Sequence, residues 1–433
     1  MQIERSELVW RVFIVTFWIR ALWVYCVETF VPALGPLETV MQLAVDMVIA
    51  TLGIVTMRRR SDIVYAAVFV VTALVITCFY NHNSVAFFLN GMRDFLGFIL
   101  VMPIYHYFSD NATRRARFID RMDRHLLAFL IVQAVCITHQ FLQYGAGDHG
   151  GGSLGNFQSG VITTLIYLIS FYLAHKRMAG YSYVYGLWRN KWLIVLLAPT
   201  FLNETKVSFV FLAMYFVLLI PLNRRALVRM LVAIPLVLVL ATVAFVTYSR
   251  VAGEQASGIF TMEYYTEMYL YNEDSERYAQ FLLEEDNGTV EDVPRFTKIM
   301  LMGDIDDEHP GHALTGWGAG QFKGGTITEQ SDFYKEYEWL LFGTVPYSVH
   351  MWVQLGFIGL ALMVVFFVMN MRATHRSTPD MAIVVYLIIT VLLIQFYNES
   401  LRNLFLMLVL NYVMVMSRHE RTELTAPTSA DDE

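Results

Sequence analysis

Charge is the first thing this sequence has little of. Charged residues make up only 16% of its 433 positions, against about 25% in an average soluble domain. The shortage excludes a solvated globule and comes from long apolar runs such as 231–245, which holds no charge. Cysteine is scarce too. Cys26, Cys78 and Cys136 all lie within apolar runs and no CxxC pair exists, so they read as small core residues and exclude a thiol-based zinc or redox site. No Asp/Glu/His cluster has metal-ligand spacing, and no cofactor is expected. Alternation with period two is missing, which argues against an outer-membrane barrel. No small-residue cleavage site follows the first apolar run, so no removable signal peptide is expected. No internal repeat stands out, and no nucleic-acid partner is expected.

What is present is a series of apolar stretches near 20 residues. About 30 Å of hydrocarbon needs about 20 residues at 1.5 Å each. Lipid offers backbone groups no partner, so such runs must be helical. The sequence therefore predicts an all-α polytopic membrane protein. About twelve spans are read, near 8–27, 37–56, 62–80, 86–108, 125–143, 157–175, 192–204, 206–222, 230–248, 346–369, 381–397 and 402–416. The seventh and eighth are short, with a polar turn between them, and are read as half-buried or broken helices.

Lys and Arg set the orientation. Arg58–Arg60, Arg114–Arg124, Lys176–Lys191, Arg224–Arg229, Arg372–Arg376 and Arg418–Arg421 occupy alternate connections. The connections 28–36, 81–85, 144–156 and 398–401 hold no Lys or Arg, with Arg402 at the edge of the last. Both termini are thus expected in the cytoplasm of a bacterial inner membrane. The chain divides into an N-terminal membrane block (1–248), a large outer loop (249–345), a C-terminal membrane block (346–416) and a disordered cytoplasmic tail (417–433). The outer loop carries 19 acidic and six basic residues. It is too long for a simple connector and reads either as a solvated acidic cap or as a lid over a site. Tyr264, Tyr265, Tyr269, Tyr271 and Tyr278 crowd its first part, offering rings that could stack on sugars.

Ionisable groups inside spans are costly and are functional candidates. Arg11 and Arg20 are read as snorkelling toward helix ends. Asp46 is read as a buried structural acid. Arg93 and Asp94 lie about two turns inside the fourth span, and as sequence neighbours they need other partners. Arg93 could face an anion. Glu204 and Lys206, in the polar turn 203–206, either neutralise each other or leave Lys206 as a point charge for phosphate. Arg250, Arg277 and Arg295 are the loop's arginines; they either make surface pairs or grip a diphosphate with bidentate hydrogen bonds. His350, with Gln354 one turn on, is either an interfacial anchor or a general base.

Two motifs carry a resemblance. Gly316-Trp317-Gly318-Ala319-Gly320-Gln321-Phe322 resembles the G-x-G-x-G-x-F patch in the large outer loop of O-antigen ligases and Wzy-type polysaccharide polymerases. His350 followed by Leu355-Gly356-Phe357-Ile358-Gly359-Leu360 is similar to that family's His-containing helix block. Met351 stands where the family has Asn, Gln354-Leu355 near its common Glu, and Asn203-Glu204-Thr205-Lys206 at its Ser-Arg turn.

The resemblance implies a membrane-embedded, GT-C-type glycosyltransferase that is metal-independent and inverting. The donor would be a glycan on undecaprenyl pyrophosphate in the lipid bilayer, used at the periplasmic face. Arg295 would contact pyrophosphate and His350 would activate the acceptor hydroxyl. Lys206, Glu204, Arg93, Arg250, Arg277, Gln354 and Trp317 would bind substrate. A repeat-unit polymerase is favoured, working beside a flippase and a chain-length co-polymerase. An O-antigen ligase acting on lipid A core is the near alternative, and a secondary transporter or a membrane scaffold the distant ones.

Overall fold

The computed structural model describes residues 4–145, 147, 149–156, 158–203, 207–220, 293, 295–322, 330–341, 343–372, 377–378 and 380–420, with backbone alone at 377–378 and 419–420. The ninth span, the tyrosine-rich stretch 264–278 and the residues Glu204, Lys206, Arg250 and Arg277 lie outside the described residues.

The described chain is helical. Its one strand pairing joins Ser377–Thr378 to His419–Glu420. The principal helices are α1 (Arg5–Phe30), α2 (Glu38–Thr56), α3 (Arg60–Tyr80), α4 (Val85–Ser109), α5 (Ala112–Tyr144) and α6 (Ser159–Met178). Later come α7 (Val207–Leu218), α8 (Arg295–Glu308), α9 (Asp332–Leu341), α10 (Tyr347–Met371), α11 (Met381–Tyr397) and α12 (Leu404–Met416). Six helical segments are long and apolar enough to cross a membrane: α1, Pro32–Thr56, α3, α4, α5 and α10. Exposed Val64, Val68 and Val71 on α3 and Val364, Val365 and Val368 on α10 give such helices an apolar outer face.

Two helices are buried on all sides and form the centre. Every residue of α12 is buried, as are Val161–Ala174 of α6, the pattern of a helix that meets only protein. The 13 residues of α12 rise about 20 Å, less than the hydrocarbon thickness. Neighbouring helices screen α12 from lipid, so this shortness carries no penalty.

The seventh predicted span is broken. It runs as Lys191–Val195 and then a 3₁₀ turn, Ala198–Phe201, because Pro199 supplies no backbone N–H to a continuing helix. Of the predicted tail 417–433, residues 417–420 are described and 421–433 lie outside the described residues. Residues 417–420 are placed by the strand pairing and by an Arg115 hydrogen bond to the Arg418 carbonyl. Local pairing outweighs the polar composition there.

The ends of the helices sort into two groups. One is basic: Arg59 meets Asp110 at 2.6 Å, Arg121 meets Glu7 at 2.7 Å, Lys176 meets Asp123 at 2.6 Å, and His175 meets Asp380 at 2.9 Å. The other gathers the connections poor in Lys and Arg. There the Tyr347 N–H donates to Asn398 O at 3.0 Å, Asn403 Nδ2 to Gln158 Oε1 at 3.4 Å, and Asn81 Nδ2 to Gly316 O at 3.2 Å. The later part of the large loop docks on this second end. Among the described residues, the basic connections at Arg59, Arg121 and Lys176 thus lie at one end of the bundle.

Candidate functional site

A cavity of about 670 Å³ opens among the helix ends poor in Lys and Arg. Four arginines line it: Arg20 of α1, Arg93 of α4, Arg295 of α8 and Arg402 of the turn before α12. Three carboxylates, Asp46, Asp94 and Glu399, share the wall. At 1.5 Å per residue, Arg20, Asp46 and Arg93 lie about 12–15 Å along their helices from the ends that meet the loop. The cavity therefore reaches from the loop into the apolar depth of the bundle.

The polar groups are organised as pairs. Arg93 Nη2 and Nε both donate to Asp46 Oδ2, at 2.9 and 3.2 Å. This gives Arg93 the partner its sequence position required, and it makes Asp46 an ion-pair member. Arg402 donates to Glu399 and also lies 3.6 Å from Asp94 Oδ2. Arg20 Nε is buried without a hydrogen-bond partner, while Asp46 in the same wall offsets part of its charge. Arg295 stacks its guanidinium 4.4 Å from the Tyr397 ring centre, which holds the first residue of α8 at the cavity wall. A 3₁₀ turn, Arg93–Phe95, interrupts α4, so Arg93 and Asp94 leave the helix on a tightened backbone.

His350 is fully buried and does not line the cavity. Its Nε2 stands 3.7 Å from Asp94 Oδ2, so Asp94 separates it from the opening. Its tautomer follows from a chain of contacts. The Gly320 N–H donates to Gln354 Oε1 at 2.7 Å, which fixes the amide orientation. Gln354 Nε2 then faces His350 Nε2 at 2.6 Å and donates to it. His350 Nε2 is thus an acceptor, and the ring proton is on Nδ1. In this arrangement the lone pair that would make His350 a base is already used.

Gln354 therefore ties the Gly-rich loop to α10 rather than facing the cavity. Two backbone bonds complete that seam, Trp317 N–H to Val353 O at 2.7 Å and Gly318 N–H to Gln354 O at 2.9 Å, and the Ala319 N–H ties the loop to α3 through Thr77 Oγ1 at 2.8 Å. Two glycines allow the close approach. Gly316 and Gly356 have φ of +69° and +58°, and a Cβ on either would lie within 2.6 Å of backbone on the other segment. Trp317 joins a separate ring cluster, stacked on His312 at 4.0 Å and against Phe333 at 5.4 Å.

The structure thus brings Arg93 and Arg295 together. It sets His350 and Gln354 one layer behind and places Trp317 in the loop's own core. Sequence reading passed over Arg20, Asp94 and Arg402 as cavity residues. Arg402 had a signal: Asn398-Glu399-Ser400-Leu401-Arg402 is a polar turn between two apolar runs. Arg20 had none, because a helix-end arginine and a cavity arginine look alike in sequence. Asn203, which opens the polar turn 203–206, donates to Thr163 Oγ1 at 3.1 Å, one turn along α6 from the cavity residues Ser159 and Gly160. Among the described residues no three His, Cys, Asp or Glu side chains converge to hold a metal ion.

No protein-family model matches this chain, and no curated protein matches it significantly.

Proposed function

We propose that the chain is a membrane-embedded polymerase of lipid-diphosphate-linked oligosaccharide repeats, with the arginine-lined cavity as its site. The carrying observation is the convergence of Arg20, Arg93, Arg295 and Arg402 in one cavity that reaches into an apolar bundle. A lipid diphosphate needs both parts, guanidiniums for its oxygens and an apolar route for its tail. In the proposed topology twelve spans place both termini in the cytoplasm and the cavity on the periplasmic side. The alternation of basic connections supports this.

In the reaction, the acceptor hydroxyl attacks the anomeric carbon of the donor glycan. A C–O bond forms there with inversion as the bond to the diphosphate breaks. The departing oxygen keeps the electron pair, and the fixed guanidiniums stabilise that charge where water is sparse. The hydroxyl proton passes to Asp94, the carboxylate between His350 and the cavity.

The test is elongation of a synthetic polyprenyl-diphosphate-linked repeat by the purified chain in nanodiscs, read as a ladder on a gel. Arg402→Ala and Arg295→Ala should each slow the ladder by about 10²–10³, the effect of removing one charge-stabilising donor. An unchanged ladder in both variants would remove the cavity from the chemistry. Product that appears only with a lipid A core acceptor would mean a ligase. The Asp46–Arg93 ion pair favours a second reading, a secondary transporter. Uptake into vesicles without any elongation would select it.

A further inference from the structure

The opposite, basic end of the bundle holds a second cavity of about 100 Å³. Its polar wall is Arg59, Asp62, His106, Arg372 and Arg418. Arg115 reaches the same place from α5 and donates to the Met416 carbonyl at 3.3 Å and to the Arg418 carbonyl.

Among the described residues, arginines outnumber carboxylates in this wall. Asp110 pairs with Arg59 at 2.6 Å, and Asp62 shares a hydrogen bond with His106 at 2.8 Å. Among the described residues no carboxylate meets Arg372 or Arg418. Arg418 donates from Nη2 to the Arg372 carbonyl, while its Nε is buried without a hydrogen-bond partner. Burial and then the guanidiniums of Arg59, Arg115 and Arg372 push the Arg418 pKa below its ordinary value. Cations crowded in this way, one of them partly desolvated, are stable when an anion sits among them.

Apart from Ser61 and Asn370, the rest of the cavity wall is mainly apolar: Tyr65 of α3, Phe98 and Met102 of α4, and Phe366 and Met369 of α10. From that wall α3 and α10 continue as exposed valines, Val64, Val68, Val364 and Val368. A basic mouth over an apolar strip matches one ligand class, a phosphate carrying an acyl chain. We propose that this end holds one anionic phospholipid, its phosphate on Arg372 and Arg418 and its chain against α3 and α10. The site is separate from the glycan cavity and does not depend on the reaction proposed there.

The full chain is compared in nanodiscs of phosphatidylcholine with and without phosphatidylglycerol. The midpoint of thermal unfolding should be higher with phosphatidylglycerol, and native mass spectra should retain one copy of it. Arg372→Gln should weaken that retention about tenfold, the scale of one charge-assisted hydrogen bond. Its side chain is exposed, so the variant folds, and Arg372→Lys should restore part of the loss. Arg418→Gln should act in the same direction. Equal midpoints in the two lipids, or full retention in Arg372→Gln, would overturn the proposal. An equal rise from inorganic phosphate in detergent would also overturn it, because the ligand would then be a free anion.

Discussion

Arg402 shows how much one side chain decides here. It bridges Glu399 on its own turn and Asp94 from α4, so it joins the two membrane blocks at the cavity. Arg402→Lys keeps the charge but loses the planar fork; elongation kinetics should show partial activity, above Arg402→Ala and below the wild type. Asp94→Asn should abolish elongation while lipid-diphosphate binding survives, and a ladder of normal rate in that variant would move the proton acceptor elsewhere. Glycines give a cleaner pair of predictions. Gly316→Ala needs a left-handed backbone and a Cβ 2.6 Å from the Gln354 carbonyl carbon, so it should cost about 2–3 kcal/mol or more. Gly303→Ala lies inside α8 with nothing within 4 Å and should stabilise by about 0.5–1 kcal/mol. Unfolding midpoints of the two variants should therefore shift in opposite directions.

Helix α10 is the element that connects loop and cavity. Its N-terminal half carries His350 and Gln354, and Gly356 kinks it where the Gly-rich segment crosses. Trp352 donates to Asp306 Oδ2 at 2.8 Å and pins α8 to the same half. Burial raises the Asp306 pKa and this hydrogen bond pulls it back. Since α8 begins at Arg295, the pinning fixes where that guanidinium enters the cavity. Gln354→Leu removes the acceptor for Gly320 and the donor to His350 together. Limited proteolysis of that variant should cut within 312–322 much faster than in the wild type. Equal cutting rates would mean that the backbone bonds of Trp317 and Gly318 hold the seam alone.

For the whole molecule, the two groups of helix ends give the bundle a polarity. Ion pairs such as Lys176–Asp123 gather at one end, and the loop and the large cavity at the other. Reporter fusions test the proposed direction. Alkaline phosphatase joined after residue 150 should be active, and a fluorescent protein joined after residue 420 should glow. The reverse pattern would invert the molecule and put the glycan cavity in the cytoplasm.

Much of this was legible in the chain. Apolar runs demand helices because lipid leaves no other partner for the backbone, and the described chain is helical. Arg295 was singled out only through the resemblance; its surroundings in the sequence left it, with Arg250 and Arg277, open between a surface pair and a diphosphate grip. The cavity itself was not readable. Arg20, Asp46, Arg93 and Arg402 come from four separate segments, and only the packing of α1, α2, α4 and the turn before α12 brings them together. Nor could sequence tell that His350 is buried behind Asp94 with its lone pair engaged. Composition and periodicity fix what each segment must be, since that depends on local chemistry and solvent. Which side chains meet depends on how helices cross, and that was decided by tertiary packing alone.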